Sequence, residues 1–140
     1  VRVTGPHGHW YDLRAHQYLG ERGETRAVVK EADPKFYAIL PYRVAGLSLT
    51  RSGGRRPGDT VRYEVAIDTS GAKAARHVVK IEVFAPDGEK HPGYSRSIET
   101  RAGAGSGRFR LALSDPAGAW RIVATDIVSG ASAEATWEVG

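Results

Sequence analysis

Apolar and polar positions alternate along the chain in short runs, broken about every ten residues by clusters of Gly, Pro, Asp and Ser. Nowhere does the alternation give way to a sustained helical period, so the pattern predicts an all-β protein. "HWYDLRAHQYLG" reads as two small strands joined by a turn, and strands are predicted near residues 9–14, 17–21, 25–30 and 35–41. Trp10, Leu13, Tyr18, Val28, Phe36, Ala38 and Leu40 are their expected apolar anchors. Trp10 and Tyr11 are adjacent, so a strand points them to opposite faces, and only one of the two is expected in a core.

Pro41 cannot donate to a central ladder, and the alternation restarts at Leu47 and Leu49, which places a boundary at about residue 43. Beyond it, "TVRYEVAID" sets Val61, Tyr63, Val65 and Ile67 on one face and Arg62, Glu64 and Asp68 on the other. "HVVKIEVF" repeats the pattern with Val79, Ile81 and Val83, and Asp87-Gly88 supplies a turn. "GYSRSIET" has few apolar anchors and suits an edge. "GRFRLALSDPAGAWRIVATD" pairs Phe109, Leu111 and Leu113 with Trp120, Ile122 and Ala124 across a turn at residues 115–118, and "SAEATWEV" adds Trp137 and Val139. "RAGAGSG", residues 101–107, reads as a loop. Residues 44–140 thus hold about seven one-sided strands, the number in an immunoglobulin-like sandwich, in which two facing sheets bury each other's apolar faces. The expected organisation is a small β-sheet segment over 1–43 and an antiparallel β-sandwich over 44–140.

Composition narrows the function classes. A chain of 140 residues buries roughly 70% of its unfolded surface, enough for one core with a small appendage. The net charge is only +4, with 7 basic against 5 acidic residues before position 44 and 13 against 11 after it, so neither part carries a nucleic-acid footprint. The absence of cysteine excludes disulfides, thiolate metal sites and cysteine nucleophiles. No run approaches ~18 continuous apolar residues, so no membrane span is expected. A first residue Val1 in place of Met leads us to expect a processed or excised piece.

"RRPGDTVRYEV", "VVKIEVFAPDGE" and "GRFRLALSDPAGAWRIVATDIVSG", in that order, resemble the macroglobulin-like and related bacterial immunoglobulin-like β-sandwiches. That resemblance implies a scaffold module, and without cysteine the reactive thioester of some macroglobulins is excluded. "YDLRAHQYLG" and "DPKFYAILPYRV" resemble the closing strands of C-terminal β-domains in large bacterial glycoside hydrolases related to β-galactosidase, with Ala15 and His16 where that pattern has Thr-Gly. Together the two resemblances imply an accessory region of a larger extracellular or periplasmic enzyme, its catalytic part lying elsewhere.

His7 and His9 share a strand face and could offer two metal ligands, but His16, His77 and His91 are scattered and no carboxylate cluster supports them, so no metal site is expected. Glycoside hydrolysis needs two carboxylates about 5–9.5 Å apart. Asp12, Glu64, Asp68, Glu82 and Asp126 mostly fall at outward or turn positions, where solvated or paired surface charges are expected. No Ser stands in a nucleophile elbow, and the Gly-rich stretches fit no phosphate-binding pattern.

The expectation is a non-catalytic accessory domain without cofactor, whose partners are the rest of a larger polypeptide or a second copy, with Trp10, Leu13, Tyr18, Phe36 and Leu40 at the interface. The alternative is a carbohydrate-binding module that stacks sugars on exposed rings of the N-terminal hairpin. Trp10, Tyr11, Tyr18 and Tyr42 are the candidate site residues, for an interface or for glycan binding.

Overall fold

The computed structural model describes residues 1–140 and contains strands, turns and irregular segments but no helix. Three strands form the first sheet: β1 (Arg2–Asp12), β2 (Gln17–Arg26) and β3 (Tyr37–Leu40), in the order β2-β1-β3, all antiparallel. Seven more follow: β4 (Gly46–Gly53), β5 (Thr60–Asp68), β6 (Val78–Phe84), β7 (Arg96–Glu99), β8 (Ala104–Arg110), β9 (Gly118–Asp126) and β10 (Ser132–Val139). They make a three-stranded sheet, β4-β5-β8, and a four-stranded one, β10-β9-β6-β7. The chain is an antiparallel β-sandwich with a third, smaller sheet attached.

The sandwich forms because alternate residues of each sheet are apolar and the two apolar faces bury each other. Val61, Tyr63, Val65 and Ile67 of β5 meet Val79, Ile81 and Val83 of β6 and Trp120, Ile122 and Ala124 of β9 in one core. Trp137 and Val139 of β10 complete it, and β7, as the spacing of its few apolar residues predicts, is an edge strand. The same core includes Tyr11, Tyr42 and Val44, with Tyr18, Ala38 and Leu40 packed against it, so one face of the first sheet closes over an end of the sandwich.

The first sheet departs from the sequence expectation. Strand β1 begins at Arg2, and the strands expected at 17–21 and 25–30 are one strand that stops at Arg26. Val28 and Val29 have high β-propensity but no neighbouring strand to pair with, and Val28 is 72% exposed. Phe36, also expected as an anchor, lies just before β3 and is 52% exposed. Between Thr4 and Gly8 the register of β1 against β2 shifts, and Pro6, which has no N–H to give, occupies this bulge.

Trp10 and Tyr11 are both buried, each 1% exposed, which overturns the expectation that only one of them is core. They do face opposite ways, but both faces of β1 are covered. Tyr11 enters the sandwich core, whereas Trp10 packs with Ile39 and Tyr37 on the other side and donates its indole N–H to the Pro6 carbonyl at 3.2 Å.

In the sandwich, residues 104–107 of the expected loop are the first half of β8. The glycine at 107 is a packing requirement: a Cβ there would run into the ring and hydroxyl of Tyr63 on the paired strand. Strand β8 ends at Arg110, so Leu113 lies beyond the ladder and is 82% exposed, while Leu111 keeps its expected place in the core.

Candidate functional site

Two strands deliver polar residues into the apolar interior. His77 immediately precedes β6 in phase with Val79, Ile81 and Val83, and Asp126 closes β9 in phase with Trp120, Ile122 and Ala124. Period-two geometry therefore carries both side chains inward, where a polar group without partners is costly. They satisfy each other: His77 Nδ1 lies 2.9 Å from Asp126 Oδ1. His77 Nε2 lies 2.6 Å from the Tyr42 hydroxyl, and all three residues are buried.

Hydrogen bonds from the surrounding backbone and side chains enclose the trio. The Tyr42 oxygen accepts from the Ala75 N–H at 2.9 Å while the same hydroxyl meets His77 Nε2. The second carboxylate oxygen of Asp126 accepts from the Ser129 N–H at 3.1 Å and the Ser129 hydroxyl at 2.6 Å. Thr100 completes the cage: its hydroxyl accepts from the His77 N–H at 3.0 Å, and its own N–H donates to the His77 carbonyl at 2.8 Å.

Burial by itself opposes ionisation of Asp126, but the hydrogen bonds from His77 and Ser129 outweigh it and hold the carboxyl below its ordinary range. Burial raises the Tyr42 hydroxyl above the usual tyrosine value, with the Ala75 N–H offsetting part of the shift and the Asp126 charge adding to it. Tyr11 is raised chiefly by burial too; its oxygen accepts the Val44 N–H at 2.8 Å.

A Tyr-His-Asp chain has the composition of a proton relay, but catalysis requires its terminal atom to reach a substrate. Here the terminal hydroxyl is buried and already engaged by Ala75. Through this chain Tyr42, in the joint between the first sheet and the sandwich, is tied to the ends of β6, β7 and β9 and to the β9–β10 turn.

The residues singled out from sequence fall on both sides of this joint. Trp10, Tyr11 and Tyr42 are buried, so these three do not form the exposed aromatic platform that the carbohydrate-binding alternative needs. Tyr18 is half-buried, stacked on His9 with its hydroxyl 2.9 Å from His9 Nδ1, and capped on its ring by the Arg43 guanidinium at 4.4 Å. His7 lies apart, 3.9 Å from Glu21, and no three His, Asp or Glu side chains converge in a metal-binding group.

Among the carboxylates, Asp12 caps the β1–β2 turn through the Arg14 and Ala15 N–H groups, and Glu82 pairs with Lys80 and Lys90. Glu64 and Asp68 are exposed on β5. Asp126 is the exception to the expected surface position, because its strand continues two residues beyond Ala124, which keeps Asp126 in the inward phase before the turn. No protein-family model matches the chain, and comparison with curated proteins gives no match either.

Proposed function

We propose that the chain is a non-catalytic accessory module: an immunoglobulin-like sandwich of macroglobulin-related type that supports, orients or assembles a larger secreted, glycoside-hydrolase-like protein. The observation that carries this reading is the closed Tyr42–His77–Asp126 chain, which uses the most reactive-looking side chains to lock the first sheet onto the sandwich. A module whose N-terminal sheet resembles the tail of a preceding domain acts as a stiff spacer when that sheet cannot swing. The strand order, β4-β5-β8 facing β10-β9-β6-β7, supports the immunoglobulin-like assignment. The extracellular or periplasmic setting rests on the same resemblance.

Hydrogen exchange on the purified chain tests the spacer. Amides of β1 should open with the same free energy as those of β5 and β9, because all belong to one cooperative unit. A first sheet that opens several kcal/mol more easily would sink the reading. A panel of chromogenic glycosides tests the other half: no turnover is expected, and turnover abolished by replacing one carboxylate would overturn the non-catalytic assignment.

A further inference from the structure

The outer face of the β4-β5-β8 sheet holds three adjoining depressions of about 470, 500 and 320 Å³, and Glu64 borders all three. They form one shallow trough across the sheet. Its floor consists of small side chains, Ser48, Thr50, Ala66, Ala104 and Ser106, and no outward position of the three strands carries an apolar residue larger than alanine. One end is ringed by Arg62, Arg96 and Arg108.

These three guanidiniums lack counter-ions. None takes part in an ion pair, although other surface arginines do. Arg62 and Arg108 stand directly opposite each other in the β5–β8 ladder, where like charges destabilise a sheet. A fold that keeps such a pair exposed and unpaired has an anion-seeking surface. The floor selects the kind of anion. Without aromatic or aliphatic anchors the trough lacks the apolar core on which a protein interface relies, and it offers hydroxyls in its place. Glu64 interrupts the positive field, so a chain densely charged with phosphates or sulfates gains less here than one whose units also offer neutral hydroxyls.

We propose that this face binds a uronic-acid polysaccharide, with sugar carboxylates held by Arg62, Arg96 and Arg108 and sugar hydroxyls laid over the Ser and Thr floor. Arginine forks suit carboxylates, which they engage through paired N–H donors. This site lies on the sandwich, away from the aromatic hairpin, and does not depend on the accessory role.

The test is titration calorimetry of the whole chain with a hexamer of galacturonic acid at low ionic strength. Saturable binding that weakens as salt rises is expected, with at least a tenfold loss in an Arg62→Ser/Arg108→Ser double variant. Removing a like-charge pair leaves the fold intact or slightly more stable, so the variant is measurable. Arg2→Ser/Arg26→Ser, which removes another cross-strand arginine pair on the first sheet, should bind like the parent chain. Glu64→Gln should tighten binding several-fold, and the methyl-esterified hexamer should not bind. The proposal is overturned by absence of saturable binding, by equal losses in both arginine variants, by weaker binding of Glu64→Gln, or by equally tight binding of a glutamate hexamer or a DNA hexamer.

Discussion

The Tyr42 hydroxyl meets His77 Nε2 at 2.6 Å, across 35 residues of chain, and is the shortest link between the joint and the sandwich interior. Tyr42→Phe deletes one oxygen yet strands two groups, the imidazole Nε2 and the Ala75 N–H. Leaving buried partners unmatched costs about 1–3 kcal/mol each. Urea denaturation should therefore show Tyr42→Phe destabilised by about 2–4 kcal/mol, and a double-mutant cycle with His77→Ala should give coupling above about 0.5 kcal/mol. A loss under about 0.5 kcal/mol would mean that the hydroxyl is not the linchpin described.

Stability should fall at both ends of the pH scale for identifiable reasons. The folded Asp126 carboxyl titrates below its unfolded value, so its contribution is complete above the unfolded pKa and is lost as pH falls through the folded one. Asp126→Asn should flatten that acid limb while lowering stability at neutral pH. Tyr11, Tyr42 and Tyr94 are shifted the other way, so the unfolded state ionises first and stability declines as pH rises above the ordinary tyrosine value of 10.0. Following tyrosinate absorbance alongside unfolding checks the sign: these three should ionise late, together with loss of structure.

The strands of the sandwich are legible in sequence because each has one buried and one wet face, so β5, β6, β9 and β10 declare themselves by alternation. That rule misleads where its premise fails. Strand β1 is covered on both sides, so Trp10 and Tyr11 are both interior, and nothing local distinguishes them from a half-exposed pair. Gly105 and Gly107 read as loop residues, yet Gly107 is small because Tyr63 fills the space beside it. The buried trio left a trace in the sequence: His77 and Asp126 continue the apolar phase of their strands, and a polar residue at a core position requires a partner. Which partner, and that Tyr42 would arrive from another sheet, depends on tertiary geometry that no local pattern contains. The arginine trough is of the same kind, since Arg62, Arg96 and Arg108 are brought together only by sheet register and the sandwich edge.

A second seam joins the two parts, at His16 and Gly130. His16 takes φ of 52°, the left-handed conformation that suits the glycine of the resembling hairpins. Gly130 in the β9–β10 turn is also left-handed, at 73°, and a Cβ there would lie 2.7 Å from that of His16. Gly130→Ala should cost about 2 kcal/mol from the combined conformational and steric penalty. In a His16→Gly background the steric part disappears, so the same substitution should cost about 1 kcal/mol less. Identical costs in both backgrounds, read from urea midpoints at constant m-value, would show that the two turns do not touch.

Trp10 provides the sharpest separation of packing from binding. It lies on the face of β1 turned away from the sandwich, outside the main core cluster, yet it is fully buried against Ile39 and Tyr37 and hydrogen-bonded to Pro6. The local pattern recurs in the sandwich, where "PAGAW" repeats the Pro-x-Gly-x-Trp spacing of "PHGHW" and Trp120 donates to the Pro116 carbonyl at 3.0 Å. Trp10→Ala should therefore destabilise by about 3–5 kcal/mol, as a cavity and an orphaned carbonyl demand. Because the two seams couple the first sheet to the sandwich, the loss should register equally in far-UV circular dichroism and in the fluorescence of Trp120 and Trp137. Binding of the galacturonate hexamer to the folded fraction should be unchanged, since the trough is on a different sheet. A Trp10→Ala chain that is as stable as the parent but no longer binds glycan would return the function to the hairpin.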